Sequence, residues 1–522
     1  MANEILDVAI VGGGISGIYS AWRLLKHDPH RTVALFEMDD HIGGRLLSVR
    51  PPNIDDMVAE LGGMRFMPQI HLRLKALIDS LNNELSDADQ IETFPFPVDE
   101  NENIAYLRGK RLRLSDFEQH PEKVPYQLTW LESGKTMGEL IVAAIEQVIP
   151  GITEESLTDR QRHIMAQRAT FNGQLLYKQG FWQVLVQVMS AEAYQLCVDA
   201  GGYQTILTNW NAADAIPWFL SDFGLKSDYQ GFTKGFQYIP QVIEKRFRDA
   251  GGAVHLSTEI QGFDWNPDEG LATINFVDGR SPVKARSLIL AMPRRALEII
   301  TPHSPFLQEA RIRELVTSVT PHPLLKLFST YRNPWWLTAN VQTGRSLTDL
   351  PLRQTYYWLK DDGSAVTAGR AMLMASYDDG SNIGFWDGFR PRRGSVPASS
   401  DIEKFTGDED ASASEQWQKH VAPKYMVEEI QRQLKIVHDL PFIPNVLSAC
   451  FRDWGDDPFG GGWNSWNIGI RSWEIKEQII QPDAHVPVYI CGEAYSDSQG
   501  WVEGALQTAD MVLERHGLRD PL

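Results

Sequence analysis

Three glycines and an acid near the start of the chain have the types and spacing to hold a dinucleotide: Gly12, Gly14 and Gly17, with Glu37 20 residues beyond the last of them. In DVAIVGGGISG, Gly12 permits a tight turn after an apolar run, Gly14 lets the backbone approach a pyrophosphate, and Gly17 lets a helix pack against a strand. Ile15 and Ser16 open that helix, so unpaired N–H groups and the positive end of the helix dipole point at the phosphates. Glu37 closes the segment VALFE, where a carboxylate accepts hydrogen bonds from ribose hydroxyls and repels a 2′-phosphate. FAD or NAD is therefore expected, and NADP is not. A lone glycine triplet is a weak signal, but a buried strand, turn, helix and second strand in this order make it a strong one.

The elements that must position these groups come from a chain of 522 residues, too long for one hydrophobic core. With 43% apolar and 22% charged residues the composition is that of a folded globular protein. A net charge of −19 argues against a nucleic-acid partner, whose phosphates need a basic face. Cys197, Cys450 and Cys491 are far apart, have no metal-ligand spacing and are expected as reduced, buried thiols. No apolar run is long enough to span a membrane, and the first strand begins within a few residues of the N-terminus, so a soluble, cytoplasmic protein is expected.

Along the chain, residues 71–130 mix helix with short strands such as IAYLRGKRLRL, and residues 136–236 are largely helical. A helix, a Gly-Gly turn and a strand then return from residue 231, and ATINFVDGRSPVKARSLILAMP gives a hairpin and a further buried strand. A parallel sheet interrupted by insertions and later resumed explains this order. The acidic stretch around residues 393–414 is expected as a surface loop, and the chain closes with a strand, a loop and a helix.

Four separated blocks, GGGISG with Glu37, GGR at 43–45, ELGGMRF at 60–66 and CGEAYSDSQGWVEGA at 491–505, resemble the flavin-dependent amine oxidases, and among them most of all the L-amino acid oxidases. The resemblance covers most of the chain and is loosest between residues 80 and 231. It implies FAD, and a fold of class α/β. A Rossmann-like FAD-binding domain would comprise residues 1–72, 237–320 and 446–522, an α+β substrate domain residues 73–135 and 321–445, and a helical domain residues 136–236. The diphosphate would rest on the first glycine turn and near Gly492 and Glu493, with Gly44 and Arg45, Gly63 and Met64, and Ile260 also against the cofactor. Where monoamine oxidases carry a flavin-linking cysteine, the run FGGGW has Gly462, so dissociable, non-covalent FAD is expected.

The same resemblance assigns the chemistry. Arg65 would grip a substrate carboxylate, a task for which a guanidinium fork is suited because it makes two parallel charge-assisted bonds. The plainer role for Arg65 is to pair with Glu60 or with a backbone carbonyl. Tyr356 and Tyr357 match a strand that supplies a phenol to that carboxylate; alternation lets one of them face the site, and Tyr357 is favoured. Trp463 and Trp501 would be aromatic walls beside the flavin, Gly500 would accept a bond from the substrate amine, and Trp466 would border the side-chain pocket. Lys326, inside LLKLF, would hold a water near flavin N5 and assist reaction with oxygen, with a snorkelling edge-strand lysine as the alternative. The expected reaction is oxidative deamination of an L-amino acid to a 2-oxo acid, ammonia and hydrogen peroxide, in a homodimer. A decarboxylating monooxygenase, an amine or polyamine oxidase, and a flavoprotein without catalysis are the alternatives.

Overall fold

The computed structural model describes residues 5–224, 228–390, 403–407 and 413–519. Most of the acidic stretch expected as a surface loop lies outside the described residues.

The first sheet is built on the apolar run Leu6–Val11, which pairs in parallel with Val33–Phe36 on one side and Val283–Leu290 on the other. Ala253–His255 extends it beyond Val33–Phe36, and Val488–Ile490 adds to the end of Val283–Leu290, both in parallel. The expected hairpin is present as Leu271–Phe276 antiparallel to Val283–Leu290, followed by Ile260–Asn266. Strands drawn from both ends and the middle of the chain thus share one sheet. Their parallel members all deliver carboxyl ends to the same edge, where an open α/β sheet binds its ligand. Helices Ile15–His27 and Val502–Arg515 cover one face, filling it with Ile18, Leu24, Leu506 and Val512.

The second sheet runs in the order Ser448–Asp453, Leu324–Tyr331, Ala371–Asp379, Gln354–Tyr357, Arg345–Thr348, Ile104–Leu107 and Lys110–Arg113. Two features differ from the sequence expectation. Ser448–Asp453, expected in the nucleotide domain, pairs with Leu324–Tyr331 and completes the second sheet. Helix Leu72–Asn82, expected with the substrate domain, buries Leu74, Leu77, Ile78 and Leu81 in the same apolar cluster as the nucleotide strands. Its Arg73 pairs with Glu503 and Asp510 of the C-terminal helix, which holds it there.

Against the second sheet, helices Met137–Val148, Asp159–Arg168, Ala191–Ala200 and Ala212–Phe219 form a helical layer whose apolar core takes in Ala105, Leu107 and Leu112 of that sheet. Their starts are written in the sequence: Thr136 with Glu139 and Thr158 with Gln161 make reciprocal capping boxes, and Ser190 caps its helix through the Ala193 N–H. The three cysteines are buried free thiols. Among the described residues no helix is long and apolar enough to cross a membrane.

Candidate active site

One cavity of about 290 Å³ runs from the carboxyl edge of the first sheet to the second sheet and the helical layer. Gly12, Gly14, Ile15, Ser16, Glu37, Gly44, Arg45, Gly63, Met64, Ile260, Gly492 and Glu493 line its nucleotide part, and Arg65, Lys326, Trp463, Gly500 and Trp501 line its far end. Residues far apart in sequence are therefore collected on one space.

The glycine turn fits a dinucleotide. A Cβ at Gly12 would meet the Ala291 carbonyl oxygen at 2.4 Å, and one at Gly17 would meet the Gly12 oxygen at 1.9 Å, so both sites admit only glycine. Gly17 does not line the cavity; its part is this close packing of helix on strand. A Cβ at Gly14 would point into open space, leaving the backbone accessible to a pyrophosphate. No side chain caps the helix at Gly14, so the positive helix end faces the cavity. Glu37 accepts the Gly13 N–H at 2.5 Å and the Asp39 N–H at 2.8 Å, and burial raises its pKa while these bonds oppose the rise. On the opposite wall Arg45 donates to Glu493 Oε1 at 2.5 Å and to the Gly462 carbonyl at 3.2 Å. Glu493 also accepts the Gly500 N–H at 2.9 Å and the Asn464 amide at 2.7 Å, so one buried carboxylate ties the C-terminal block to Arg45. A cradle with an acid at one end, an uncapped helix in the middle and aromatic walls at the other fits FAD. No cysteine lines it, and a Cβ at Gly462 would already meet Leu324 Cβ at 2.6 Å.

At the far end Arg65 is 5% exposed. Its Nη1 donates to the Tyr356 hydroxyl at 3.2 Å, and its guanidinium lies 4.0 Å from the centre of the Tyr229 ring. The alternative pairing with Glu60 is not formed among the described residues: the Glu60 carboxylate accepts from Phe236 N and Ser48 Oγ, both at 2.7 Å. The choice of Tyr357 is corrected. Its side chain points to the opposite face of the strand, bonding Ser346 Oγ at 2.6 Å and His438 Nε2 at 2.7 Å beneath helix Lys424–His438. Tyr356 faces Arg65 instead, while the phenols that line the cavity itself are Tyr203 and Tyr377.

Lys326 is 1% exposed on Leu324–Tyr331, a strand paired on both sides, so it is not a snorkelling edge residue. Its ammonium donates to the Gly62 carbonyl at 2.5 Å and the Glu60 carbonyl at 3.2 Å, and lies 4.7 Å from the centre of the cross-strand Tyr377 ring. Burial pushes the Lys326 ammonium down in pKa and the Glu60 carboxyl up, each partly restored by the other's charge.

Trp463 stacks between Trp218 at 5.5 Å and His322 at 4.5 Å, with its indole N–H donated to Thr205 Oγ1 at 3.1 Å. Trp501 packs on His71 at 4.5 Å. Trp466 does not line the cavity; it is 1% exposed and donates to the Ser496 carbonyl. Sequence reasoning missed Tyr203, Ile206, Trp218 and Phe223 from the helical layer and Tyr377 from the second sheet.

A dinucleotide cradle opening onto an aromatic chamber defines an FAD-binding oxidoreductase with a Rossmann-like fold. Over residues 15–512 the chain matches the model of flavin containing amine oxidoreductases, and it belongs to that family. It is 28% identical to Aplysianin-A of Aplysia kurodai, over 98% of this chain and 90% of that protein. It is 26% identical to Achacin of Lissachatina fulica, over 98% and 93%, and 24% identical to an L-amino-acid oxidase of Crotalus adamanteus, over 96% and 85%. The solved structure of wild-type putrescine oxidase bound to putrescine superposes with a TM-score of 0.66 at 18% identity, covering 99% of this chain and 100% of that one.

Proposed function

We propose that the protein is an L-amino acid oxidase, converting an L-amino acid, water and oxygen to a 2-oxo acid, ammonia and hydrogen peroxide. The observation that carries this reading is Arg65, a buried guanidinium at the chamber wall with no carboxylate in ion-pair contact among the described residues. A buried cation is costly unless an anion meets it, and the substrate's α-carboxylate supplies that anion. A simple amine would leave it uncompensated.

Bound FAD supplies the acceptor for two electrons from the substrate's Cα–H bond and returns them to oxygen. The chain's own residues do the rest. Arg65 orients the carboxylate, Trp463 and Trp501 confine the amine and exclude water, and the Gly500 carbonyl accepts an amine N–H. Lys326, pinned by two backbone carbonyls, holds a water at the cavity surface. The chamber wall of Tyr203, Ile206, Trp218, Phe223 and Tyr377 supports apolar or aromatic side chains.

A peroxide-coupled assay over all standard amino acids and matched amines tests the proposal, with products identified. Peroxide with 2-oxo acid is expected. An amide product would make the protein a monooxygenase, and bleaching by amines alone would overturn the role given to Arg65.

A further inference from the structure

Trp501 is held at both ends. Its backbone follows Gly500, whose N–H is fixed by Glu493 at 2.9 Å, and its indole N–H is donated to the carboxylate of Asp222. Asp222 is 3% exposed and lies on Leu220–Gly224, a single wide π-turn that continues helix Ala212–Phe219 just after Pro217. Such turns are rare and frequently mark functional sites. The next residue, Phe223, lines the chamber. The Asp222 backbone carbonyl accepts the Tyr229 hydroxyl at 2.6 Å, and the Tyr229 ring is the face that lies 4.0 Å from the Arg65 guanidinium. That ring is also nearly parallel to Trp501, with centres 6.5 Å apart. One residue therefore grips the aromatic wall through its side chain and the phenol against Arg65 through its backbone. Trp463 has a counterpart tether, in which its indole N–H meets Thr205, and Thr205 in turn donates to the buried carboxylate of Asp379.

We propose that Asp222 is a positioning residue for substrate oxidation, setting the place of the Trp501 wall relative to the Arg65 carboxylate grip. It does not line the cavity and acts through Trp501. A carboxylate suits this task because a charge-assisted bond to an indole N–H is shorter and stiffer than a neutral one. Burial raises the Asp222 pKa well above the usual carboxylate range, while the Trp501 N–H bond and the Arg65 charge oppose that rise and favour the ionised form. The inference rests on the oxidase reading for the choice of step it affects.

The test is anaerobic stopped-flow reduction of the holoenzyme's flavin, with reoxidation by oxygen measured separately, using whichever amino acid or amine bleaches the wild-type flavin fastest. Which of those it is tests the proposed function; the ratios between variants test Asp222. Asp222→Leu should slow reduction about tenfold or more, Asp222→Asn, which keeps an acceptor oxygen, should stay within about threefold, and reoxidation should be unchanged in both. In a Trp501→Phe background Asp222→Leu should add less than about twofold. Asp222→Glu, which keeps the charge on a longer arm, should also slow reduction and serves if the leucine variant does not load FAD. Reduction at the wild-type rate in Asp222→Leu or Asp222→Glu, or a full additional loss in the Trp501→Phe background, would overturn the proposal.

Discussion

Arg65→Met removes a cation and keeps much of the side chain's apolar volume, and it should move activity and stability in opposite directions. In the free chamber the guanidinium meets the Tyr356 hydroxyl and the faces of Tyr229, Phe96 and Tyr356. When an α-carboxylate arrives, the two form a buried pair, and removing one partner of such a pair costs about 3–5 kcal/mol. At about 1.4 kcal/mol per tenfold, kcat/KM for L-amino acids should fall by about 10² to 10⁴. An amine with the same side chain and no carboxylate makes no such pair, and its kcat/KM should stay within about threefold. Stability follows the other sign. Without substrate the burial penalty is opposed by aromatic faces worth about 2 kcal/mol and, at longer range, by the Asp222 charge, which leaves part of that penalty unmet. Arg65→Met should therefore raise the Tm of the substrate-free holoenzyme. The assays are anaerobic flavin reduction by a matched amino acid and amine, and thermal melts followed by flavin fluorescence. Equal losses on both substrates would show that Arg65 does not hold a carboxylate. A lowered Tm would show that the protein already compensates the charge.

Lys326→Met should slow reoxidation of the reduced flavin by oxygen at least about tenfold while leaving reduction by substrate within about threefold, as double-mixing stopped flow would measure. An unchanged reoxidation rate would confine Lys326 to holding the Glu60 and Gly62 carbonyls. His438 donates from Nδ1 to the Leu434 carbonyl at 2.8 Å and accepts the Tyr357 hydroxyl at Nε2, which fixes the neutral ring, and burial lowers its pKa to about 4. Below pH 6.5 the unfolded chain takes up a proton that the native ring refuses, so stability is lost as pH falls from 6.5 towards 4 and is flat beyond; at pH 5 the loss is about 2 kcal/mol. His438→Gln should lessen the drop in stability between pH 7 and pH 5 by about that amount in denaturant titrations, and an unchanged drop would show that the ring is protonated in the fold.

What could be read from the sequence is what the backbone itself requires. Gly12 and Gly17 cannot be anything else, because a Cβ would collide with the Ala291 or Gly12 carbonyl, and that constraint is local enough to appear as a motif. Arg65 and Lys326 stood out for a related reason: a charged residue beside a glycine pair or inside an apolar strand breaks the local pattern, and burial at 5% and 1% exposure is what makes the break matter. Residues whose place depends on distant packing left no such mark. Tyr356 and Tyr357 are equivalent by pattern, and the choice between them was made by His438, 81 residues away, which offers Tyr357 a ring nitrogen on the far side of the sheet. Tyr203, Trp218 and Phe223 look like ordinary core aromatics of a helical layer and become chamber walls only because that layer lies over the second sheet. Helix Leu72–Asn82 shows its apolar stripe in Leu74, Leu77, Ile78 and Leu81, yet periodicity says that a face is buried and not against what. The ion pairs of Arg73 with Glu503 and Asp510 decide that question, and they join segments more than 400 residues apart. The same holds for Asp222. An acid in a helical region reads as a solvated face until the fold turns it inward onto Trp501. Motifs thus disclose the groups that contact the cofactor, whereas the groups that aim those contacts are set by tertiary structure.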